Sequence, residues 1–269
     1  SLKVTLGEVR PTIFFGVPRV WEKFAEKMIA MGKSNGCLKK LIARKAKEIG
    51  SEATLCKELG LELPYWYNLA NSVVFNKVKS GLGLNKCKIF MTGAAPISSQ
   101  VLDYFASLDI QVMNLYGTSE CCGPATFNLP NKFRIYMKVP GEKQDRISCG
   151  CKFKGEILKL DDEQHDGEIL IKGRHIFMGY INKREKTSEV IDSKGFYHTG
   201  DIGYIDTDGL VAKPINNIAI HLITNNGNRN TFLISNKEID KSDVINKLGE
   251  VDDIMNQTGL IEIKKAEIK

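Results

Sequence analysis

The stretch KIFMTGAAPISSQVLDYFASLDIQVMNLYGTSE, residues 88–120, decides the fold class. KIFMTG is typical of a short apolar strand, Ser98 is suited to cap a helix over SSQVLDYFASL, and IQVMNLYG indicates a second strand that runs into a turn. Strands joined through a helix form parallel sheets. The sequence therefore predicts an α/β fold, a parallel sheet with flanking helices, and ligands at the carboxyl ends of these strands.

Helical patterns dominate the residues before this stretch. Apolar residues recur at helical spacing from Pro18 to Met31, and Pro18 suits a first helical turn. The segments Leu38–Leu59 and Tyr65–Val78 predict two further helices, the second ended by the turn at Gly81 and Gly83. The first eighty residues are therefore expected to be mainly helical.

Short strand patterns dominate the residues after it. FRIYMKV, GEILKL, GEILIKG and GFYHTGDIGYID are separated by Gly and Asp, which predicts a small antiparallel sheet or barrel. A compositional shift at residues 128–131 marks the expected boundary. We predict three parts, namely an α/β subdomain over 1–130, a β-rich subdomain over 131–212, and a divergent, unassigned segment over 213–269 with one helix at 242–255.

Composition and charge make several classes of protein less favoured. The 269 residues carry a net charge of +6, from 38 Lys and Arg against 32 Asp and Glu, which is too mild an excess to favour nucleic-acid binding. No run of about 18 apolar residues could cross a bilayer. Seven Cys without paired CxxC spacing indicate a reducing compartment and neither a disulfide framework nor a zinc site.

Small and aromatic residues stand where the two strands end. Gly93, Ala94 and Ala95 would let the main chain approach a flat ligand closely, and Tyr116 offers an aromatic face to a base. In isolation each strand end favours an ordinary turn. Together they predict one face of a nucleotide site.

Oxygen-bearing side chains follow Tyr116 directly. Glu120 offers a hard oxygen ligand to Mg²⁺, and Ser119 or Thr118 offers a hydroxyl to a phosphate oxygen. The pattern predicts the phosphate side of the same site.

NLYGTSE and MTGAAPIS resemble the adenylate-forming superfamily, which includes the acyl-CoA synthetases and carries a YGxTE-type motif after a GxAP-type turn. The resemblance implies that Gly93–Ala95 and Tyr116–Ser119, including Gly117, bind ATP or AMP, with Tyr116 against adenine. It implies that Ser119, in the usual Thr position, lies near the α-phosphate and that Glu120 holds magnesium, so that both are catalytic.

The run GFYHTGDIGYID, residues 195–206, is similar to the YxTGD motif of the same superfamily. Asp201 would then accept hydrogen bonds from both ribose hydroxyls, a task that suits the two oxygens of a carboxylate. The alternative is an ordinary Asp in a Gly-flanked turn. We expect the turns bearing Tyr116 and Asp201 to face each other across one adenylate pocket.

The run IFFGVPRVWEK, residues 13–23, resembles the gate segment of long-chain fatty acyl-CoA synthetases, in the wording of the bubblegum type. The resemblance implies that Trp21 borders a fatty-acyl tunnel and thus binds substrate. Spacing alone favours the alternative, in which Trp21 and Phe24 are core residues of an amphipathic helix.

The resemblance implies part of the large N-terminal domain of an ATP-dependent long-chain fatty acid–CoA ligase, with long-chain fatty acid, ATP, Mg²⁺ and coenzyme A as reactants. It implies a cytoplasmic location and leaves peripheral association with the endoplasmic reticulum or another internal membrane open. It covers about Thr5 to Val211. Nucleic acid is not an expected partner.

Three departures from the family pattern predict that this chain alone forms no acyl-CoA. The Ser/Thr/Gly-rich phosphate loop of the family would lie upstream of Ser1, and the sequence stops before the position of the small C-terminal domain with its lysine. The hinge reads INNIAIHLITNNGNRN at 215–230, so that Asn216 or Asn217 stands where a basic residue would reach the ribose, and Ala219 or Ile220 where the family has an acidic one.

Other functions stay open at this point. The chain would be a non-catalytic module that binds AMP or acyl groups, or another adenylate-forming enzyme such as a peptide-synthetase adenylation domain or a luciferase-like enzyme. A third alternative is a basic interaction protein for RNA or anionic lipid, motivated by the segment Lys39–Lys47, although a solvated helix face explains that segment equally well.

Overall fold

In the computed structural model of the chain, the described residues are 2–129, 133–139, 142, 145–161 and 166–212, together with the backbone of two strands at 217–223 and 229–235. They fall into two compact units. Unit 1 comprises residues 1–156, 173–178 and 206–212, and unit 2 comprises residues 157–172, 179–205 and 213–269. These units are divided differently from the three predicted parts, which stay a prediction about domain organisation.

The helices of unit 1 follow the local sequence signals. Pro18 stands in the first turn of its helix, the side chain of Ser98 accepts a hydrogen bond from the N–H of Val101, and Gly60 and Gly83 end their helices in the left-handed conformation at φ +67° and +76°. The helices are α1 Leu2–Val9, α2 Pro18–Lys33, α3 Cys37–Leu59, α4 Tyr67–Ala70, a π-helical turn Asn71–Phe75, α5 Asn76–Leu82 and α6 Ser99–Ala106.

Two features of this helical part differ from the prediction. The helix expected at Tyr65–Val78 starts at Tyr67, contains the π-helical turn and continues to Leu82, where Gly83 ends it. The helix α1 and the strand at Ile13–Phe15 were not predicted, because segments of eight and three residues carry little periodicity.

A mixed sheet forms the centre of unit 1. Its strands are β1 Ile13–Phe15, β2 Ile89–Thr92, β3 Val112–Thr118, β4 Gly123–Phe127, β5 Tyr136–Met137, β6 Arg146–Lys152 and β10 Leu210–Ala212. The order is β1-β2-β3-β4-β6-β10, with β5 paired to β6. Strands β1, β2 and β3 are parallel, and the remaining pairs are antiparallel. The predicted α/β fold with a parallel sheet and flanking helices is confirmed.

The core of unit 1 lies where α2 and α6 cover the parallel strands. Trp21 on α2 is completely buried, and its ring makes edge contacts with Phe14, Phe90 and Phe105 at centroid distances of 5.4, 6.4 and 5.0 Å. Its indole N–H lies 3.0 Å from the carbonyl oxygen of Gly16 and 3.1 Å from that of Met91. The apolar stripe predicted for α2 therefore packs onto strands β1 and β2.

Unit 2 is built from antiparallel strands, as the sequence predicts for this part. Strand β8 Gly167–Lys172 pairs with β7 Ile157–Leu160 on one side and with β9 Tyr197–Ile205 on the other. Unit 2 also contains the helix α7 Arg184–Val190 and the hairpin of β11 Asn217–Ile223 and β12 Arg229–Ser235. The helix predicted at 242–255 lies outside the described residues.

Within the described residues, no helix is both long and apolar enough to span a membrane.

Candidate nucleotide site

The two predicted turns of unit 1 lie side by side at one edge of its sheet. In the parallel register Thr92 is the partner of Asn114, so β2 and β3 both reach this edge with their carboxyl ends. Gly93 is buried there, and a Cβ atom at Gly93 would lie 3.2 Å from Cβ of Leu115 and 3.3 Å from its carbonyl oxygen. Glycine therefore allows the two strand ends to approach closely.

The main chain turns sharply after Gly93. Ala94 has φ +67°, a left-handed conformation that an alanine rarely adopts, and both Ala94 and Ala95 are exposed. A strained, exposed main chain with small side chains offers a flat ligand an approach to its peptide groups. This geometry agrees with the role predicted for Gly93–Ala95 and does not test it.

Tyr116 and Gly117 lie where β3 pairs with β4. Tyr116 is opposite Thr126 and is 6% exposed, and the register shifts between Tyr116 and Gly117. A Cβ atom at Gly117 would lie 2.8 Å from Cα of Pro124. Gly117 thus permits the close approach of β4 at the irregularity, and the hairpin carries the predicted adenine and phosphate residues together.

A short 3₁₀ turn at Ser119–Cys121 joins β3 to β4. Cys122 closes it at φ +52°, and its N–H donates to the carbonyl oxygen of Ser119 at 3.2 Å. The N–H of Phe177 donates to the carbonyl oxygen of Glu120 at 2.8 Å. Since Ser119 is exposed and Glu120 half-buried, the turn presents both side chains while main-chain hydrogen bonds fix its backbone.

A buried carboxyl–imidazole pair in the same unit was missed by sequence reasoning. Glu156 is 6% exposed, accepts the N–H of Phe153 at 2.9 Å, and has its other oxygen 3.1 Å from Nε2 of His175. Burial raises the pKa of the Glu156 carboxyl and that of the Cys121 thiol, and the carboxylates of Glu120 and Glu156 raise the pKa of Cys121 further. The Cys121 thiol, at the end of the predicted phosphate turn, therefore has a lowered thiolate fraction at neutral pH.

Asp201 lies in unit 2, and the other predicted nucleotide residues lie in unit 1. The expectation that Asp201 and Tyr116 share one pocket stays a prediction. The TGD motif that contains Asp201 does not form a separate turn. Its residues Thr199, Gly200 and Asp201 lie inside β9, where the register to β8 shifts. A bulge changes the direction in which the side chains of a strand point. The pairing of β8 with β9 therefore determines the orientation of the Asp201 side chain.

Glu168 holds this irregular part of β9 in place. It is 1% exposed, one of its oxygens accepts the N–H of Gly200 at 2.8 Å, and the other lies 2.9 Å from Nδ1 of His198. The hydroxyl of Thr199 donates to the carbonyl oxygen of Ile169 at 2.8 Å and accepts the N–H of Asp201 at 3.1 Å. His198 thus contacts Glu168 from within the same motif as Asp201.

Sequence reasoning missed Glu168 as well. The available signal is a carboxylate inside an otherwise apolar strand, GEILIK, because a buried charge needs partners. The predicted substrate residue Trp21 lies in the core of unit 1, as the alternative from helical spacing expects. Its predicted place beside an acyl tunnel stays a prediction.

The described residues contain no group of three His, Cys, Asp or Glu side chains that could hold a metal ion. That Glu120 holds magnesium stays a prediction.

The model of the AMP-binding enzyme family matches residues 2–181. The chain is 46% identical over 212 residues to the long-chain-fatty-acid–CoA ligase ACSBG2 of Xenopus laevis, 44% identical over 214 residues to ACSBG2 of Gallus gallus, and 38% identical over 212 residues to ACSBG1 of Mus musculus. Each match covers 78% of this chain, and it covers 28%, 27% and 28% of those three proteins.

Two solved structures share the fold at 20% identity. The adenylation domain of the carboxylate reductase of Mycobacterium chelonae matches 85% of this chain and 30% of its own at a TM-score of 0.51. A malonyl-CoA ligase with methylmalonyl-CoA and AMP bound matches 82% of this chain and 38% of its own at a TM-score of 0.50. From the family model and the ligase relatives together, the chain belongs to the AMP-binding enzymes.

Proposed function

We propose that this chain contributes the nucleotide-binding part of an ATP-dependent long-chain fatty acid–CoA ligase. The observation that carries the proposal is the turn at Ser119–Cys121, which exposes Ser119 and is fixed through the main chain of Glu120, in a chain 46% identical to a ligase of this class. The chain spans about 28% of the length of that relative, so the complete reaction is proposed for a protein that contains these residues.

In this proposal the unit 1 edge binds the adenylate. The exposed main chain of Ala94 and Ala95 approaches one face of the adenine, and Tyr116 contacts the base. Gly117 and Thr118 lead the main chain past the ribose phosphate, and Ser119 donates its hydroxyl to an α-phosphate oxygen. Asp201 accepts the two ribose hydroxyls.

Magnesium would be held by Glu120 and by ATP phosphates, where it neutralises phosphate charge. The carboxylate of the fatty acid attacks the α-phosphorus, forms the mixed anhydride and releases pyrophosphate. The coenzyme A thiol then attacks the acyl carbon, loses its proton and releases AMP. The protein's share is to place the carboxylate in line with the α-phosphorus and to offer Ser119 to the charge that develops there.

The acyl group would lie near the first residues of α2. Trp21 is fully buried and bonded to the carbonyl oxygens of Gly16 and Met91, so in this proposal it forms the wall of an acyl site from within the core. We also propose a cytoplasmic location, in keeping with seven cysteines that are all free, and peripheral association with an internal membrane.

A non-catalytic AMP-binding module is the second candidate. The observation that favours it is the segment 215–230, where Asn stands in place of the basic residue that the family pattern places near the ribose. A neutral amide does not replace a charged, forked donor.

One experiment tests both candidates. The purified chain is heated with and without AMP, because a ligand that binds only the folded state raises the melting temperature. We expect AMP to raise the Tm of the unaltered chain, and Asp201→Asn and Tyr116→Ala to reduce the shift, whereas Asp208→Asn, on an exposed turn, leaves it unchanged. No shift with AMP or ATP would contradict both candidates.

Product analysis then separates them. The protein is incubated with ATP, Mg²⁺, palmitate and coenzyme A, and AMP and palmitoyl-CoA are measured. Thiol-dependent release of AMP supports the ligase. The binding module is supported if AMP raises the Tm but no product forms, even with a polypeptide that also carries the family's phosphate loop and C-terminal domain.

A further inference from the structure

The segment from Lys27 to Lys47 concentrates the positive charge of the chain. It contains seven Lys and Arg residues and no Asp or Glu, which gives it a charge of +7, whereas the whole chain has a net charge of +6. It comprises the end of α2, the connection at 34–36 and the first half of α3. We call this segment the basic tip.

The basic tip extends beyond the packed body of unit 1. Every residue from Lys33 to Ile42 is exposed, and Ala46 is the first buried residue of α3. The side chains at Leu38, Leu41 and Ile42 are 71%, 49% and 43% exposed. At spacings of three and four residues they lie on one helix face, so three aliphatic side chains form an uncovered apolar stripe.

The cations beside this stripe are of two kinds. Lys45 pairs with Glu48 at 2.8 Å, and Lys47 lies 4.2 Å from the ring centre of Tyr104. In contrast, Lys39, Lys40 and Arg44 form no ion pair within the described part of the chain, although all three are exposed. The chain thus places three exposed cations next to exposed Leu and Ile side chains, and the charge of Arg44 also acts on Glu48.

We propose that the basic tip binds an anionic membrane surface. Leu38, Leu41 and Ile42 would enter the boundary between headgroups and acyl chains, and Lys39, Lys40 and Arg44 would contact lipid phosphates and carboxylates. Apolar side chains on one helix face with cations beside them are the pattern of helices that lie in the membrane interface. Long Lys and Arg side chains bury their methylene groups along such a surface while their charges stay in water.

Charge and composition favour lipid over the alternatives. Between Lys27 and Lys47 there is no Phe, Tyr or Trp, so the basic tip lacks the side chains on which single-stranded RNA bases stack. The exposed aliphatic stripe gains nothing from a phosphodiester backbone, but it does gain from an acyl layer. The surface ends at Glu48, where the first carboxylate on α3 would repel anionic lipid.

This surface deepens the peripheral association proposed above and rests on it. A membrane-bound ligase would receive its fatty acid from the lipid phase, where long acyl chains reside. The test below uses no nucleotide and measures no ligation, so its failure would leave the proposed ligase chemistry unaffected.

The experiment is sedimentation of the purified chain with vesicles of phosphatidylcholine alone or of phosphatidylcholine with 30% phosphatidylserine. We expect binding to the anionic vesicles only. Each Lys or Arg near such a surface contributes about a fivefold gain in partition, so the triple variant Lys39→Gln, Lys40→Gln, Arg44→Gln should bind roughly a hundredfold more weakly. Raising the ionic strength from 0.1 to 0.5 M should weaken vesicle binding by the unaltered chain and should affect binding by the triple variant less.

A matched control removes three cations elsewhere. Lys183→Gln, Arg184→Gln, Lys186→Gln lie at the exposed start of α7 in unit 2 and change the net charge by the same amount. We expect this variant to retain its affinity. Equal losses in both triple variants would show attraction by net charge alone and would overturn the proposal.

The apolar half of the proposal is tested by Leu38→Ser, Leu41→Ser. Both side chains are exposed, so folding should be preserved, which far-ultraviolet circular dichroism checks. We expect at least a tenfold loss of binding to anionic vesicles. An unchanged affinity, an absence of vesicle binding in the unaltered chain, or tight binding of a single-stranded RNA oligomer that the Ser variants retain would each overturn it.

Discussion

At the scale of single residues, the carboxylate of Glu168 determines more of the site than its place in the sequence indicates. It accepts the N–H of Gly200 and contacts His198, which are the two residues on either side of Thr199 in the motif that carries Asp201. Glu168 is a positioning residue for the irregular part of β9.

We predict that Glu168→Ala destabilises the chain by about 2–4 kcal/mol, because it removes a buried carboxylate that accepts from the half-buried Gly200 N–H and contacts the half-buried His198 imidazole. Urea unfolding measures the loss. Glu168→Gln keeps one acceptor oxygen and should recover part of the stability, and Glu185→Ala on the exposed face of α7 should change it by less than about 0.5 kcal/mol. A loss for Glu185→Ala as large as that for Glu168→Ala would contradict this account.

At the scale of elements, the packing of α2 on the sheet depends on one side chain. Trp21 joins the helix to the carbonyl oxygens at the ends of β1 and β2, and it is surrounded by Phe rings. The other tryptophan, Trp66, is 59% exposed before α4. The chain therefore contains a buried and an exposed example of the same residue within unit 1.

Replacement of each tryptophan by phenylalanine separates these environments. We predict that Trp21→Phe costs about 2–4 kcal/mol, since it removes a buried donor and leaves unfilled volume, and that Trp66→Phe costs less than about 0.5 kcal/mol. Chemical unfolding measures both. The Trp21 variant should also lose the emission of a shielded indole, and equal costs for the two variants would refute the packing described here.

The connection between α6 and β3 is fixed by charge. Asp109 is buried and has φ +59°. Its carboxylate accepts hydrogen bonds from the ammonium groups of Lys57 on α3 and Lys79 on α5, the latter at 2.8 Å, and from the hydroxyl of Tyr67 at 3.0 Å. Burial raises the pKa of the Asp109 carboxyl, but the charge of Lys79 and the hydrogen bonds from both lysines outweigh burial and hold the pKa below its usual value.

The sign of the pH dependence follows from that depressed pKa. The contribution of Asp109 to stability is complete above the pKa of an unfolded Asp, near 4, and is lost as the pH falls through the lower folded pKa. Asp109→Asn tolerates the left-handed backbone but leaves two lysines unpaired, so we predict a loss of about 3 kcal/mol at pH 7 that shrinks below pH 4. Unfolding curves from pH 3 to 8 measure it; a loss independent of pH would exclude the ionic explanation.

At the scale of the whole molecule, the reactivity of the seven cysteine thiols depends on where the fold exposes or buries them. All seven are among the described residues and none forms a disulfide; Cys37 and Cys122 are exposed, and Cys121 and Cys149 are buried. Burial raises the pKa of Cys121 and of Cys87, which lowers their thiolate fraction at neutral pH. Burial and the raised pKa therefore both slow the reaction of Cys121.

We predict two fast equivalents in thiol titration of the native chain at pH 8 and seven after denaturation. Cys37→Ser, Cys122→Ser should remove the fast phase, and a reducing agent should not change the Tm. Mass spectrometry of the labelled peptides identifies the sites. Rapid labelling of Cys121 would show that the turn bearing Glu120 is open.

The sequence predicted those parts of the molecule that local patterns encode. The strand–helix–strand unit, the cap at Ser98 and the end at Gly83 follow from residue types within a few positions of one another. The partners of Glu156 and Glu168 do not, because His175, His198 and Gly200 lie 19 to 32 residues away in the chain and meet them only through folding. The family motifs located the candidate site, whereas its supporting contacts required coordinates.

The hydrogen bond from the N–H of Phe177 to the carbonyl oxygen of Glu120 joins two distant parts of unit 1 and uses main-chain atoms alone. No exchange of side chain at either position deletes the donor or the acceptor, with proline at 177 as the sole exception. This hydrogen bond can therefore persist while the side chains around it change during evolution. A genetic screen would therefore find proline excluded at position 177.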